Sequence, residues 1–261
     1  MVTEVQTSQH YDGKINIKFF PNSHRYQLEG ERTYLVGVTT ATGQLDKSRP
    51  LLIWASRLTE GYLNEILKSK VIEPEDIATA CNQHNVKREE AATSGTLVHE
   101  WAEAYIKNQD PDIPEDEEVR NGVLAFMKWV SENGVRFIAS EKRVYSRAHK
   151  YVGTMDCIFT MEKDFHKVVH AGDFKTSSGI YMEAAMQLSA YQHAEAEEHG
   201  TEYGSKYVLK FDKKTGEFEA KEFTVEEHRD HFEGFLACLK LKELSKVWDK
   251  THGYYSGNKK T

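Results

Sequence analysis

Three stretches in the second half of the chain, VRFIASEKRVYS (135–146), YVGTMDCIFTM (151–161) and HKVVHAGDFKT (166–176), decide how the rest is read. Each is rich in β-branched and aromatic residues, and Lys163 and Asp164 mark a turn between the last two, so they read as consecutive strands of a core sheet. Two of them carry carboxylates among apolar residues. Asp156 sits within MDCIFTM and Asp173 ends an apolar strand, and a carboxylate that loses water without a partner is costly, so a cation should meet each. Strand alternation projects Asp173 and Lys175 from one face and Phe174 from the other. Two carboxylates from two strands could share a divalent cation through hard oxygen ligands; a structural salt bridge is the plainer alternative for each.

Outward from these strands, Tyr181 to His199 has a helical pattern and ends at Gly200, a natural C′ residue. Strands return at KYVLKFD (206–212) and GEFEAKEF (216–223), joined by a turn at 213–216, before a last helix from Val225 to about Lys250 and a loose tail, THGYYSGNKKT (251–261). Toward the N-terminus, INIKFF, HRYQL and TYLVGV within residues 15–38 alternate with turn signals and read as an antiparallel meander. Ser48 as N-cap and Pro50 in the first turn are expected to start a helix that runs to near Lys70, with Leu51, Trp54, Leu58, Tyr62 and Ile66 recurring at three- and four-residue spacing. Pro74 opens a shorter helix, a third spans about Lys87 to Asn108, and a fourth lies between Glu115 and Asn133 with Val123, Phe126, Met127 and Val130 as its apolar stripe.

The third helix carries GTLVHEWAE (95–103), which places His99 and Glu103 four residues apart on one face with Gly95 one turn earlier. In QLSAY (187–191), Gln187 and Tyr191 repeat that spacing and offer hydrogen bonds without charge. Each pair alone reads as packing: a helical histidine is usually satisfied in the core, and a helical tyrosine usually rests there with its hydroxyl at the rim. A D-x-K triplet also arises by chance in many chains. The case rests on the order of the four segments, GTLVHEWAE, GTMD (153–156), GDFKT (172–176) and QLSAY.

Composition bounds the possibilities. The 261 residues, 39% hydrophobic and 29% charged, have a soluble globular balance, and no apolar run approaches the roughly 20 residues of a membrane helix. The start, MVTEVQTSQHYDGK, lacks a basic n-region and an apolar h-region, so no secretory signal is expected and the cytoplasm is the expected location. Cys81, Cys157 and Cys238 are too few for a disulfide framework or a four-thiolate cluster and read as reduced, partly buried thiols. A net charge of -7 argues against a protein that coats nucleic acid by bulk electrostatics. Any such surface must be a local patch, with candidates at Lys142, Arg143, Arg147 and Lys150, at Lys206, Lys210, Lys213 and Lys214, and at Lys240, Lys242 and Lys246; solvated faces are the plainer reading of each.

Taken in order, the four segments resemble the PD-(D/E)XK nuclease superfamily, and within it the RecB-type exonucleases, whose pattern runs G-x-x-x-H-x-x-x-E, G-x-x-D, D-x-K and Q-x-x-x-Y. All four elements stand here without substitution, covering residues 95–191. HRYQLEG (24–30), VGVTT (36–40) and LLIWASRL (51–58) look, less specifically, like the N-terminal region of stand-alone phage-type and mitochondrial genome maintenance exonuclease-like members. The resemblance implies an α/β fold with a restriction-endonuclease-like core, a mixed central sheet flanked by helices, and an N-terminal β-meander and helical segment. Residues 1–133 would contribute the histidine-bearing helix and 134–261 the nuclease core, together as one compact unit.

The resemblance also implies roles. His99, Asp156, Asp173 and the Phe174 carbonyl would hold Mg²⁺ or Mn²⁺; Lys175 would position or activate the attacking water; Gln187 and Tyr191 would orient the phosphate or the strand. Glu103 would support His99 or the ion from behind, and Glu141 is a further acidic candidate. The expected activity is metal-dependent hydrolysis of DNA from linear ends, single- or double-stranded, in recombination, repair or phage DNA processing in a bacterial or phage-infected cell. A homo-oligomer or a recombination partner is compatible with this. A helical arch over the site at 48–133 would favour threaded single strands, with Trp54, Tyr62 and Trp101 as stacking candidates and the core as their plainer place. Three cysteines exclude the four-cysteine iron-sulfur cluster of some relatives, and the absence of a G-x-x-x-x-G-K-[ST] loop removes a need for ATP. Rival readings are a structure-specific or RNA-directed endonuclease on the same fold, and a nucleic-acid-binding module without turnover.

Overall fold

The computed structural model describes residues 4–212 and 215–252. The turn expected at 213–216 and the tail therefore lie partly outside the described residues, as do Lys213 and Lys214. Strands β1 (Gln6–His10), β2 (Ile15–Phe20) and β3 (Arg25–Leu28) form the antiparallel N-terminal sheet. Its first strand, QTSQH, has no apolar alternation to mark it in the sequence and is placed by pairing with β2. Ile17 and Tyr26 seat this sheet on Tyr145 and Val152 of the main body, and the Tyr26 hydroxyl meets Thr154 Oγ1 at 2.9 Å.

The main sheet is mixed. Strand β4 (Val36–Gly37) runs parallel to the start of β6 (Tyr151–Thr160), and β5 (Arg136–Ser146) is antiparallel along β6. Then β7 (Val169–Lys175) is antiparallel to β6 and parallel to β8 (Tyr203–Phe211), and β9 (Phe218–Phe223) closes the edge antiparallel to β8. Thus the N-terminal region supplies a strand, β4, to the sheet of the C-terminal half.

Helices cover both faces, as a sheet with apolar residues on either side demands. Alternation along β6 sends Ile158 to one side, with α1 (Val38–Thr42), α5 (Met182–His199) and α6 (His228–His252), and Cys157 and Phe159 to the other, with α3 (Pro74–Ile106) and α4 (Glu117–Glu132). Between the sheet and α6, α5 is buried on nearly every side, and its alanines Ala184, Ala185, Ala190 and Ala194 let its neighbours approach. On the opposite face Phe126 is fully buried within a ring cluster of Trp101, Trp129, Phe174 and Phe211.

Several local expectations are corrected. The short helix from Pro74 and the helix at 87–108 are one 33-residue helix, α3, opened by a capping box between Glu73 and Asp76. The polar stretch between them holds no proline, and polarity alone does not end a helix. Ser48 is not the N-cap of α2 (Ser48–Leu67) but its first residue, and Asp46 Oδ1 accepts from the Ser48 amide at 2.8 Å. Trp101 is core, donating from Nε1 to the Asp112 carbonyl and stacking on Tyr105, while Trp54 is exposed and Tyr62 half-buried. Cys81 is exposed; Cys157 and Cys238 are buried free thiols. Among the described residues, no helix is long and apolar enough to cross a membrane.

Candidate metal centre

The position of the site follows from how β6 shares its edges. β5 lines one edge throughout, from Arg136 opposite Thr160 to Ser146 opposite Tyr151. On the other edge β4 takes Tyr151 and Val152, β7 takes Cys157 to Phe159, and Gly153 to Asp156 lie between the two. β6 and β7 part beyond the Cys157–Gly172 pair. In that opening the Phe174 amide donates to Asp156 Oδ2 at 2.7 Å, so a side-chain carboxylate takes the bond that a ladder carbonyl would otherwise accept.

Three elements converge there. Glu141 lies opposite Asp156 in the β5–β6 register, between the Ser140–Cys157 and Lys142–Met155 pairs, and its φ of 50° is left-handed in the middle of a strand. A non-glycine residue in that region carries strain of about 1–3 kcal/mol. From α3, His99 brings Nδ1 to 3.6 Å from Asp156 Oδ2, its ring standing edge-on to Phe174 at 5.8 Å. His99, Glu141 and Asp156 each offer one ligand atom, all within 4.8 Å of one another.

This donor set fits a divalent ion. Ligand bonds of about 2.0–2.2 Å allow two donors to stand up to about 4.4 Å apart, which spans the His99–Asp156 separation and asks the exposed Glu141 side chain for a small rotation. Electrostatics point the same way. Desolvation, then the Asp173 charge, push the Asp156 carboxyl up to about 6, and desolvation with the Asp156 and Glu103 charges pushes Glu141 up to about 7. Negative charge here exceeds what the neighbouring cations balance.

Beside the three, Asp173 is buried and its carboxylate ion-pairs with Lys175. Desolvation opposes the Lys175 charge, but the Asp173 and Asp156 carboxylates outweigh it and hold the ammonium above its ordinary value. Asp173 stands outside the three-residue ligand group, acting on Asp156 through its charge. Phe174 turns to the far side and packs in the aromatic core, as alternation requires.

On α5, Tyr191 is buried against β6. A Cβ at Gly153 would come within 2.4 Å of Tyr191 Cε1, which explains why glycine opens the GTMD segment. Burial, then the Asp173 and Asp156 charges, keep the Tyr191 phenol well above its ordinary value and so protonated. One turn earlier, Gln187 donates from Nε2 to Thr42 Oγ1 at 3.0 Å while its Oε1 is buried without a partner. Thr42, on α1, carries no sequence signal; only packing brings it here. Glu103 is engaged by Lys107, one turn along α3, and faces the site through its charge on Glu141.

Part of the first two expected basic patches is not a solvated cationic face. Lys142 pairs with Glu195, Arg143 bonds Gln6 and lies over Phe19, Lys210 meets Asp212 and Glu219, and Lys206 is buried rather than solvated.

No protein-family profile matches the chain, and no curated protein matches it. Among solved structures the chain is similar to that of SSO0001, known from a crystal structure, with 12% identity and a TM-score of 0.30 over 82% of this chain and 96% of that one. A superposition at that level bears on neither fold family nor function.

Proposed function

We propose that this chain is a Mg²⁺- or Mn²⁺-dependent nuclease of the PD-(D/E)XK type, hydrolysing phosphodiester bonds at the ends of linear DNA. The observation that carries the reading is the convergence of His99, Glu141 and Asp156 at the parting of β6 and β7, with the Asp173–Lys175 pair alongside. His99, Glu141 and Asp156 would hold the ion, with Asp173 acting on Asp156 through its charge. An imidazole among carboxylates suits Mn²⁺ at least as well as Mg²⁺. When bound, such an ion makes water nucleophilic near neutral pH and neutralises charge as the phosphate reacts.

The protein groups divide the remaining work. Lys175 places an ammonium beside the carboxylates, where it orients the attacking water and offsets charge on the phosphoryl oxygens. Tyr191 offers a proton-donating hydroxyl and Gln187 a free amide oxygen, so the two present opposite hydrogen-bonding characters one turn apart. The Phe174 amide fixes the Asp156 carboxylate in one orientation, which limits the reorganisation that ion binding requires.

The test is cleavage of end-labelled linear single- and double-stranded DNA beside closed circular DNA, in Mg²⁺, Mn²⁺ or chelator, with Asp156→Asn and Lys175→Ala as controls. Metal-dependent loss of linear DNA alone, absent in both variants, is the expected result. Cutting of circles would reassign the chain as an endonuclease; metal-independent or variant-independent cleavage would remove the site.

A further inference from the structure

The lower half of α6 leaves the body of the protein in an unusual way. Phe235, Cys238 and Leu239 are its buried residues, packed with α1 and α5, and none beyond Leu239 is buried. Three- and four-residue steps continue that side through Lys242, Lys246 and Lys250, with Glu243, Ser245 and Asp249 beside them. Among the described residues no carboxylate lies within ion-pairing distance of the three lysines, although Glu243 is near enough to act on Lys246. Partial desolvation, then the Lys242 charge, lowers Lys246, with Glu243 opposing and Lys250 adding to the effect, so the three ammonium groups repel one another along one side of the helix. In a chain of net charge -7, the segment 240–250 sets Lys240, Lys242, Lys246 and Lys250 against Glu243 and Asp249.

Next to the lysines, Leu241, Leu244, Ser245 and Trp248 line a cavity of about 240 Å³ whose other wall is Gln44. The Trp248 ring is half exposed and stacks on His252 at 4.3 Å. Gln44 ties this cavity to the segment that follows α1. It stands two residues from Thr42, which accepts from Gln187 Nε2 on α5. The Lys47–Glu183 ion pair ties the same connecting segment to the start of α5. Glu183 in turn acts through its charge on Lys175, so the segment after α1 links the wall of the cavity to the start of α5 near that lysine.

We propose that Lys242, Lys246 and Lys250, with Trp248, form the track along which a single-stranded nucleic acid reaches the metal centre; the proposal rests on the nuclease reading above. Four-residue steps space the ammonium groups about 6 Å apart along the axis, which suits successive phosphates of an extended strand. The indole supplies a face on which a base can stack, the combination that sequence-tolerant single-strand binding uses. A duplex, with its bases already stacked, gains nothing from Trp248.

The experiment is fluorescence anisotropy with a labelled oligothymidylate and a hairpin duplex of equal length, in chelator, across a salt series. It compares wild type, Lys242→Gln/Lys246→Gln/Lys250→Gln and Trp248→Ala, with Mn²⁺ calorimetry on each. The triple variant should bind the single strand on the order of tenfold or more weakly near 0.1 M salt, with the log–log salt slope reduced by about 2. Trp248→Ala should weaken single-strand binding without changing the slope, leave the duplex unaffected, and retain Mn²⁺ binding. Unchanged affinity and slope in the triple variant would overturn the proposal, as would equal losses for duplex and single strand. A wild-type dimer that Trp248→Ala converts to monomer in sedimentation would assign the face to a second copy of the chain and overturn it too. Failure of wild type to bind Mn²⁺ or to cleave would remove the nuclease reading, while the metal-free anisotropy would still decide the α6 face.

Discussion

Glu141 combines a left-handed backbone in mid-strand with a carboxyl pushed up to about 7, and both carry a cost in stability. Its folded value lies above the ordinary one, so its favourable contribution is complete below the ordinary carboxylate range and is lost as pH rises through about 7. Glu141→Gln should therefore raise the melting temperature of metal-free protein by about 1–3 °C at pH 8, with the advantage vanishing by about pH 4–5. The same variant should weaken Mn²⁺ by about tenfold or more in calorimetry. A destabilised variant with normal Mn²⁺ affinity would make Glu141 structural. Gly153→Ala forces a Cβ into Tyr191 and should cost about 1–3 kcal/mol in urea unfolding. Combined with Tyr191→Leu, the loss should be markedly less than additive; full additivity would deny the contact. Asp156, Asp173 and Lys175 were legible in the sequence because charge among apolar residues stands out. Glu141 was only a candidate, because within SEKR it looks like any solvent-facing charge until the β5–β6 register sets it opposite Asp156.

At the scale of elements, helix and strand types were readable from periodicity, and the errors fell where a boundary depends on tertiary contact. No local signal separates one 33-residue α3 from two helices, and a polar β1 exists only because β2 pairs with it. The parting of β6 from β7, which creates the site, is likewise a property of β4 and β7 sharing one edge of β6. Docking of α6 offers a test at this scale. Its first turn sets His228 against Gln192, with Lys206, His193 and His231 nearby, and burial followed by those positive neighbours lowers His228 to about 4. Burial also lowers Lys206 to about 8, partly opposed by Glu227. His228 is depressed below its ordinary value, so the stability it contributes is complete above about pH 6.5 and is lost as pH falls toward 4. Hydrogen exchange, corrected for intrinsic rates, should show α6 losing protection by on the order of 1–3 kcal/mol between pH 7 and 5, and His228→Asn should remove most of that loss. Uniform acid loosening of all helices would contradict this local origin.

For the whole molecule, the centre joins parts distant in sequence: His99 belongs to the N-terminal helical region, Glu141 and Asp156 to the sheet that follows it. The N-terminal half also contributes β4 to the main sheet and packs Trp101 and Phe126 against Phe174 and Phe211. A boundary near residue 133 therefore divides the sequence but does not divide the core. An ion held by residues from both sides binds only when both are folded, and its binding free energy adds to the stability of the single unit. Mn²⁺ at about a hundred times its dissociation constant should add about 2.7 kcal/mol, roughly 5–10 °C in melting temperature. Tryptophan fluorescence, reporting chiefly on buried Trp101 and half-buried Trp129, should shift together with far-UV circular dichroism, and the urea m-value should stay constant. Asp156→Asn should abolish the shift while remaining folded. If Mn²⁺ instead moved one probe and left the other, the two halves would be separate folding units, and an ion held by His99 together with Glu141 and Asp156 would have no cooperative unit to stabilise.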